Sequence, residues 1–144
     1  AFLTATGKDK DGICTRKAFS MDLVKHKPII TELNAMHQER FGRGLGASAA
    51  PGAFVGFLAL CDAINRAGST DAEAIRNAIR ETTIPGDKLI TPWRGIKFNE
   101  KGQNVLADTL IVQYQDGGES HTIYPFNMAT KDAIFPIPKW SERK

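Results

Sequence analysis

The stretch from Pro51 to Ala67, PGAFVGFLALCDAINRA, constrains the fold most. Phe54, Phe57, Leu58, Cys61 and Ile64 recur at helical spacing, and Val55 and Leu60 widen the apolar stripe they form. So broad a stripe predicts a helix buried on more than one side. Such a helix needs other elements to bury against, a sheet above all.

Helical periodicity also marks the neighbours. Pro28 opens a segment in which Ile29, Ile30, Leu33, Met36 and Phe41 follow helical spacing, and Gly42 stands where a left-handed C-terminal cap is needed. After Gly68, Thr70 and Glu73 have the spacing of a capping box, and Ala72, Ile75 and Ile79 mark a narrow inner face that frays near Thr82. Beyond Pro92 the period changes to two. Gly95–Phe98 and Thr109–Tyr114 read as strands, and Asp116-Gly117-Gly118 as a hairpin turn returning through His121–Tyr124. Residues 1–5 and 12–19 read as short strands around the polar turn GKDKDG, and the tail IFPIPKW is too rich in proline for regular structure.

The 144 residues suffice for one domain with a core. Nineteen Lys and Arg are spread along the chain, the net charge is +3, and no basic run alternates with aromatics, which disfavours nucleic acid as a partner. No apolar run reaches the ~18 residues of a membrane span. The chain opens on AFL, inside an apolar run, which predicts a piece of a longer or processed protein. Cys14 and Cys61 lie in apolar stretches and read as buried thiols.

The residues 41–52, FGRGLGASAAPG, invite comparison with a phosphate-binding loop. That loop follows a strand and precedes a helix. Here the glycines join two helices and no lysine follows at the required spacing, so a helix–helix connection is expected, with Ser48, Ala49 and Ala50 at the helix start. His26, His37 and His121 have no partner at metal-ligand spacing and read as solvated, and no metal or cofactor is expected. No nucleophile elbow is present. Asp11 precedes Gly12 and an apolar strand; spacing alone makes it a surface-turn carboxylate, with a place at a cleft as the alternative.

Three blocks, AINRAGSTDAEAIRNAIRET, GIKFNEKGQN and IVQYQDGGESHTIYP, followed by PIPKW, occur in an order and spacing that resembles a known group. From about Asp11 to Trp140 the chain is similar to the C-terminal part of the periplasmic substrate-binding proteins of the branched-chain amino acid (Leu/Ile/Val) ABC transporters. The resemblance implies an α/β chain forming part of a two-lobed type I periplasmic binding protein fold, with three-layer α/β/α lobes that close at a hinge. Residues 1–19 would end a second-lobe segment and approach the hinge. Residues 20–107 would supply first-lobe helices and a strand, and residues 108–144 the late strand pair crossing back and the tail.

The resemblance implies a non-enzymatic, extracytoplasmic solute receptor that delivers an amino acid, aromatic acid or amide to a permease. In KDGIC, Asp11 takes the place of an acid, often Glu in relatives, that accepts hydrogen bonds from the ligand's ammonium group. Ser48, Ala49 and Ala50 take the helix start near which relatives often carry an aromatic; here none precedes Phe54, which implies a roomier pocket. A sensor domain of a signalling protein with the same fold is the alternative, and a small enzyme is a third reading that lacks a convergent acid, base or nucleophile. A companion N-terminal fragment or a swapped dimer would cover helix faces left without a sheet.

Overall fold

The structure, a computed structural model, describes residues 5–46, 49–137, 139 and 141. Helix α1 spans Ile29–Phe41, α2 Ala49–Ala67 and α3 Ala72–Arg80. Strand β1 is Cys14–Lys17, β2 Thr83–Pro85, β3 Gly95–Lys97, β4 Leu110–Gln115 and β5 Glu119–Tyr124. The strands form one sheet in the order β1-β4-β5 and a second of β2 and β3, and every pair among them is antiparallel. The α/β class expected from the sequence is what the chain adopts.

Three helices stand where periodicity put them, but they bury less than expected. In α1, Ile30 is buried and Leu33 half-buried, whereas Ile29, Met36 and Phe41 are exposed. In α2 the buried row is Pro51, Val55, Ala59 and Ala63, at intervals of four. Phe57 is 64% exposed, and Leu60, Cys61 and Ile64 lie on the same open side, so the stripe is covered on one side and not on several. The covered side is built on Val55 with the small Ala59 and Ala63, Phe54 and Leu58 pack beside it half-buried, and Phe57, Leu60, Cys61 and Ile64 stay outside.

Arg66 in the last turn of α2 fastens α3: its Nη2 donates to the Ala78 carbonyl and to the Thr82 hydroxyl, each at 2.7 Å. The cap of α3 is Asp71, whose carboxylate accepts from the Ala74 N–H at 2.9 Å, and not Thr70. Ser69 accepts from the Asp71 N–H, which sets the cap one residue later, and Glu73 pairs with Arg76 instead of reaching back. Aspartate caps as well as threonine and adds favourable charge at the helix start.

The polar turn GKDKDG is a 3-10 turn at Gly7–Lys10 preceded by helical Ala5 and Thr6, so residue 5 is not in a strand; residues 1–4 lie outside the described residues. β2 was not expected, because Thr83-Ile84-Pro85 is too short to show alternation. It pairs Ile84 with Ile96, and both are buried with Leu89 and Ile90. Helices α1 and α2, both sheets and the loops share one core, to which Phe19, Leu23, Ile30, Val55, Ile84, Leu110 and Val112 contribute.

β4 is buried along almost its whole length. Leu110 and Val112 enter the apolar core, while Gln113 and Gln115 are buried under segment 132–134. Buried amides demand partners. Gln113 donates to the carbonyls of Gly12 and Ile134 at 3.1 Å each and accepts from the Ile134 N–H at 2.7 Å. Gln115 donates to Gln113 at 2.8 Å and to the Asp132 carbonyl at 2.9 Å. The irregular tail is thus held to the sheet by side chains where a strand would use backbone.

Candidate functional site

Asp11 lies at the hairpin end of the three-stranded sheet. The Gly12 N–H donates to the Tyr114 carbonyl at 2.7 Å and the Tyr114 N–H to the Ile13 carbonyl at 3.0 Å, which extends the β1–β4 ladder up to the acid. The Asp116-Gly117-Gly118 turn has φ values of 55°, 80° and 99°, as a D-G hairpin requires, and this brings the Gly117 N–H to 2.8 Å from Asp11 Oδ2. The surface-turn expectation is therefore corrected: Asp11 is 9% exposed. Its Oδ1 is buried and has no hydrogen-bond partner among the described residues. Lys10, beside it, is buried with its ammonium 5.5 Å from the centre of the Tyr114 ring.

The glycine stretch is a helix–helix connection. Asn34 of α1 accepts from the Leu45 N–H at 2.8 Å, and a Cβ on Gly44 would come within 2.8 Å of that same Asn34 oxygen. Gly44 is thus the room that the tether needs. Ser48 lies outside the described residues, and Ala49 is the first residue of α2. Ala50 packs on the core and lines a small apolar cleft of about 200 Å³ with Leu33, Phe41, Leu45 and Phe54, in which Asp11 has no part. The described residues therefore do not bring Asp11 and Ala50 into one cleft.

Leu45 of the same stretch, with Phe19 and Met21, also borders a pocket of about 250 Å³ whose polar groups sequence reasoning missed. Lys17, Ser20, Asp22 and Ser120 line it. Lys17 Nζ donates to Ser120 at 2.8 Å. Asp22 accepts from the Thr122 N–H at 2.6 Å, the Thr122 hydroxyl at 3.0 Å and the Thr130 hydroxyl at 2.6 Å. Burial works to raise the Asp22 carboxyl, but the bonds from Ser20, Thr130 and Thr122 outweigh it and hold the group below its ordinary range. Burial draws the Lys17 ammonium down, opposed by Asp22. Asp22 locks the sheet to the 3-10 turn Met21–Lys25. Ser20 apart, its partners Thr122 and Thr130 lie 100 and 108 positions away, so no local spacing could reveal that lock.

Two further expectations are corrected. Both cysteines are exposed and free, Cys14 on the outer strand β1 and Cys61 on the open side of α2. His121 is only 17% exposed and has Nε2 3.0 Å from Asp116, off hydrogen-bond alignment, with Lys131 paired to the same carboxylate. His37 is half-buried, its Nδ1 2.7 Å from the Arg43 carbonyl. No cluster of three His, Cys, Asp or Glu suited to a metal ion occurs among the described residues. No helix among them is long and apolar enough to cross a membrane.

No family model matches the chain. Among curated proteins it is 26% identical over 109 residues to Leu/Ile/Val-binding protein homolog 7 of Brucella abortus, covering 76% of this chain and 27% of that protein. It is 28% identical over 102 residues to Leu/Ile/Val-binding protein homolog 8 of Brucella suis, covering 71% and 25%. The chain thus spans about a quarter of the length of the curated relatives it matches. The sequence motifs and the comparison point the same way: the chain is similar, over most of its length, to part of the Leu/Ile/Val-binding protein homologues.

Proposed function

We propose that the chain is part of an extracytoplasmic solute receptor that binds a small amino-acid-like or carboxylate ligand and delivers it to an ABC permease. In this reading the ligand is an amino acid, an aromatic acid or an amide, held between two lobes that close at a hinge. Asp11 is the acidic contact, and Ser48, Ala49 and Ala50 form a roomy rim. The carrying observation is the Asp11 carboxylate, with Oδ2 fixed by the Gly117 N–H and Oδ1 buried without a donor. A buried carboxylate oxygen is costly when unpaired, and an incoming ammonium group would satisfy it by a charge-assisted bond.

Native and denaturing mass spectrometry of the purified protein is the first test. A companion chain together with a small mass lost on denaturation supports the receptor. The purified protein is then titrated with leucine, valine, benzoate and benzamide while the Gly117 amide signal is followed by NMR. The reading expects an ammonium-bearing ligand to move that signal and Asp11→Asn to abolish the response. Equal responses in both proteins would remove Asp11 from the site.

A further inference from the structure

A cleft of about 710 Å³ lies at the opposite end of the three-stranded sheet from the Asp11 turn. Its volume is in the range of sites for small organic molecules. Arg16 of β1 and Tyr124 of β5, on the two outer strands of the sheet, both line it, together with Thr109 just ahead of β4. Two strand spacings, about 10 Å, separate the backbones that carry Arg16 and Tyr124. Trp93, Arg94 and Asp108 also line the cleft.

The charges are unequal. Arg94 is neutralised by Asp108, Nε to Oδ2 at 2.9 Å. The Arg16 side chain has neither a hydrogen bond nor an ion pair among the described residues. The Trp93 indole N–H and the Tyr124 hydroxyl are likewise without hydrogen-bond partners there. Tyr124 is steadied edge-on by Phe126, with ring centres 5.4 Å apart, and Met128 adds apolar surface to the lining. The cleft thus offers one uncompensated guanidinium, two aromatic rings and free donors. Guanidinium matches a carboxylate by paired N–H bonds, and the rings match a flat apolar body.

We propose that this cleft is a second small-molecule site, distinct from the one assigned to Asp11, that takes a flat organic anion: the carboxylate on Arg16 and the ring against Trp93 and Tyr124. The proposal does not depend on the receptor reading. The test is a titration of the purified protein with benzoate, benzamide and inorganic phosphate, read by backbone amide NMR shifts. Benzoate should give saturable shifts at residues 16–18, 92–94, 107–109 and 124–128. Benzamide, which lacks the charge, and phosphate, which lacks the ring, should each bind at least about tenfold more weakly. Arg16→Ala should weaken benzoate by a similar factor and leave benzamide unchanged, whereas Arg80→Ala, an exposed arginine of α3, should leave benzoate unchanged. Shifts confined to residues outside the cleft, benzamide binding as tightly as benzoate, or Arg16→Ala binding benzoate like the parent would each overturn the proposal. The receptor reading fails separately, at the Gly117 amide.

Discussion

Asp11 and Asp22 are two carboxylates against one sheet, and they are used differently. Asp22 is met by the Thr122 N–H and by the hydroxyls of Thr122 and Thr130, so both of its oxygens are engaged. Asp11 has one oxygen on the Gly117 N–H, and the other is buried with no donor among the described residues. A fully engaged carboxylate locks structure, because each bond is lost on unfolding. A half-engaged one does little for the fold and has capacity left for a ligand. Burial alone does not separate the two; the state of the second oxygen does.

The comparison can be broken by removing each acid. Asp22→Ala strands the N–H and hydroxyl of fully buried Thr122, and is expected to cost about 3 kcal/mol in urea unfolding. A loss near zero would mean that the engagement is idle. Gln113→Ala, the neutral counterpart, removes bonds to Gly12, Ile134 and Gln115 and should cost about 2 kcal/mol. It should also expose segment 132–134 to limited proteolysis, and an unchanged cleavage pattern would contradict the fastening role. Asp11→Asn should change stability by less than about 1 kcal/mol, since one backbone bond is at stake, while abolishing any ammonium-ligand response. The smallest effect is on pH. As pH falls through 3.8, the ordinary aspartate value, the unfolded chain takes up a proton that folded Asp22 still refuses, so stability drops from there downward. Asp22→Asn should flatten that part of the acid unfolding curve, and an unaltered slope would place the sensitivity elsewhere.

The helices and the D-G hairpin were legible in the sequence because their signals are local: Pro28 and Gly42 bracket α1, and Gly117 and Gly118 turn β4 into β5. The inner faces were less so. Phe57 and Met36 were counted with the core on periodicity, yet periodicity reports a face and not what lies against it. The cap at Asp71 was one residue from Thr70 because Ser69 competes for the backbone there, and β2 was too short to alternate. At the candidate site, Asp11 could be singled out by its place before Gly12 and an apolar strand. Its burial could not, since it depends on Gly117, 106 positions later. Lys17 with Ser120 and Asp22 with Thr122 were invisible for the same reason.

That separation has a consequence in time. Among the described residues β1 pairs only with β4, and Cys14 meets Gln113 across almost a hundred residues. At a synthesis rate of 5–20 residues per second, β1 leaves the ribosome about 5 to 20 s before its partner exists. A bare strand left waiting is open to pairing with other chains, and charged residues discourage this. Arg16 and Lys17 fill half of β1, so the strand that waits longest in this sheet also carries charge that protects it.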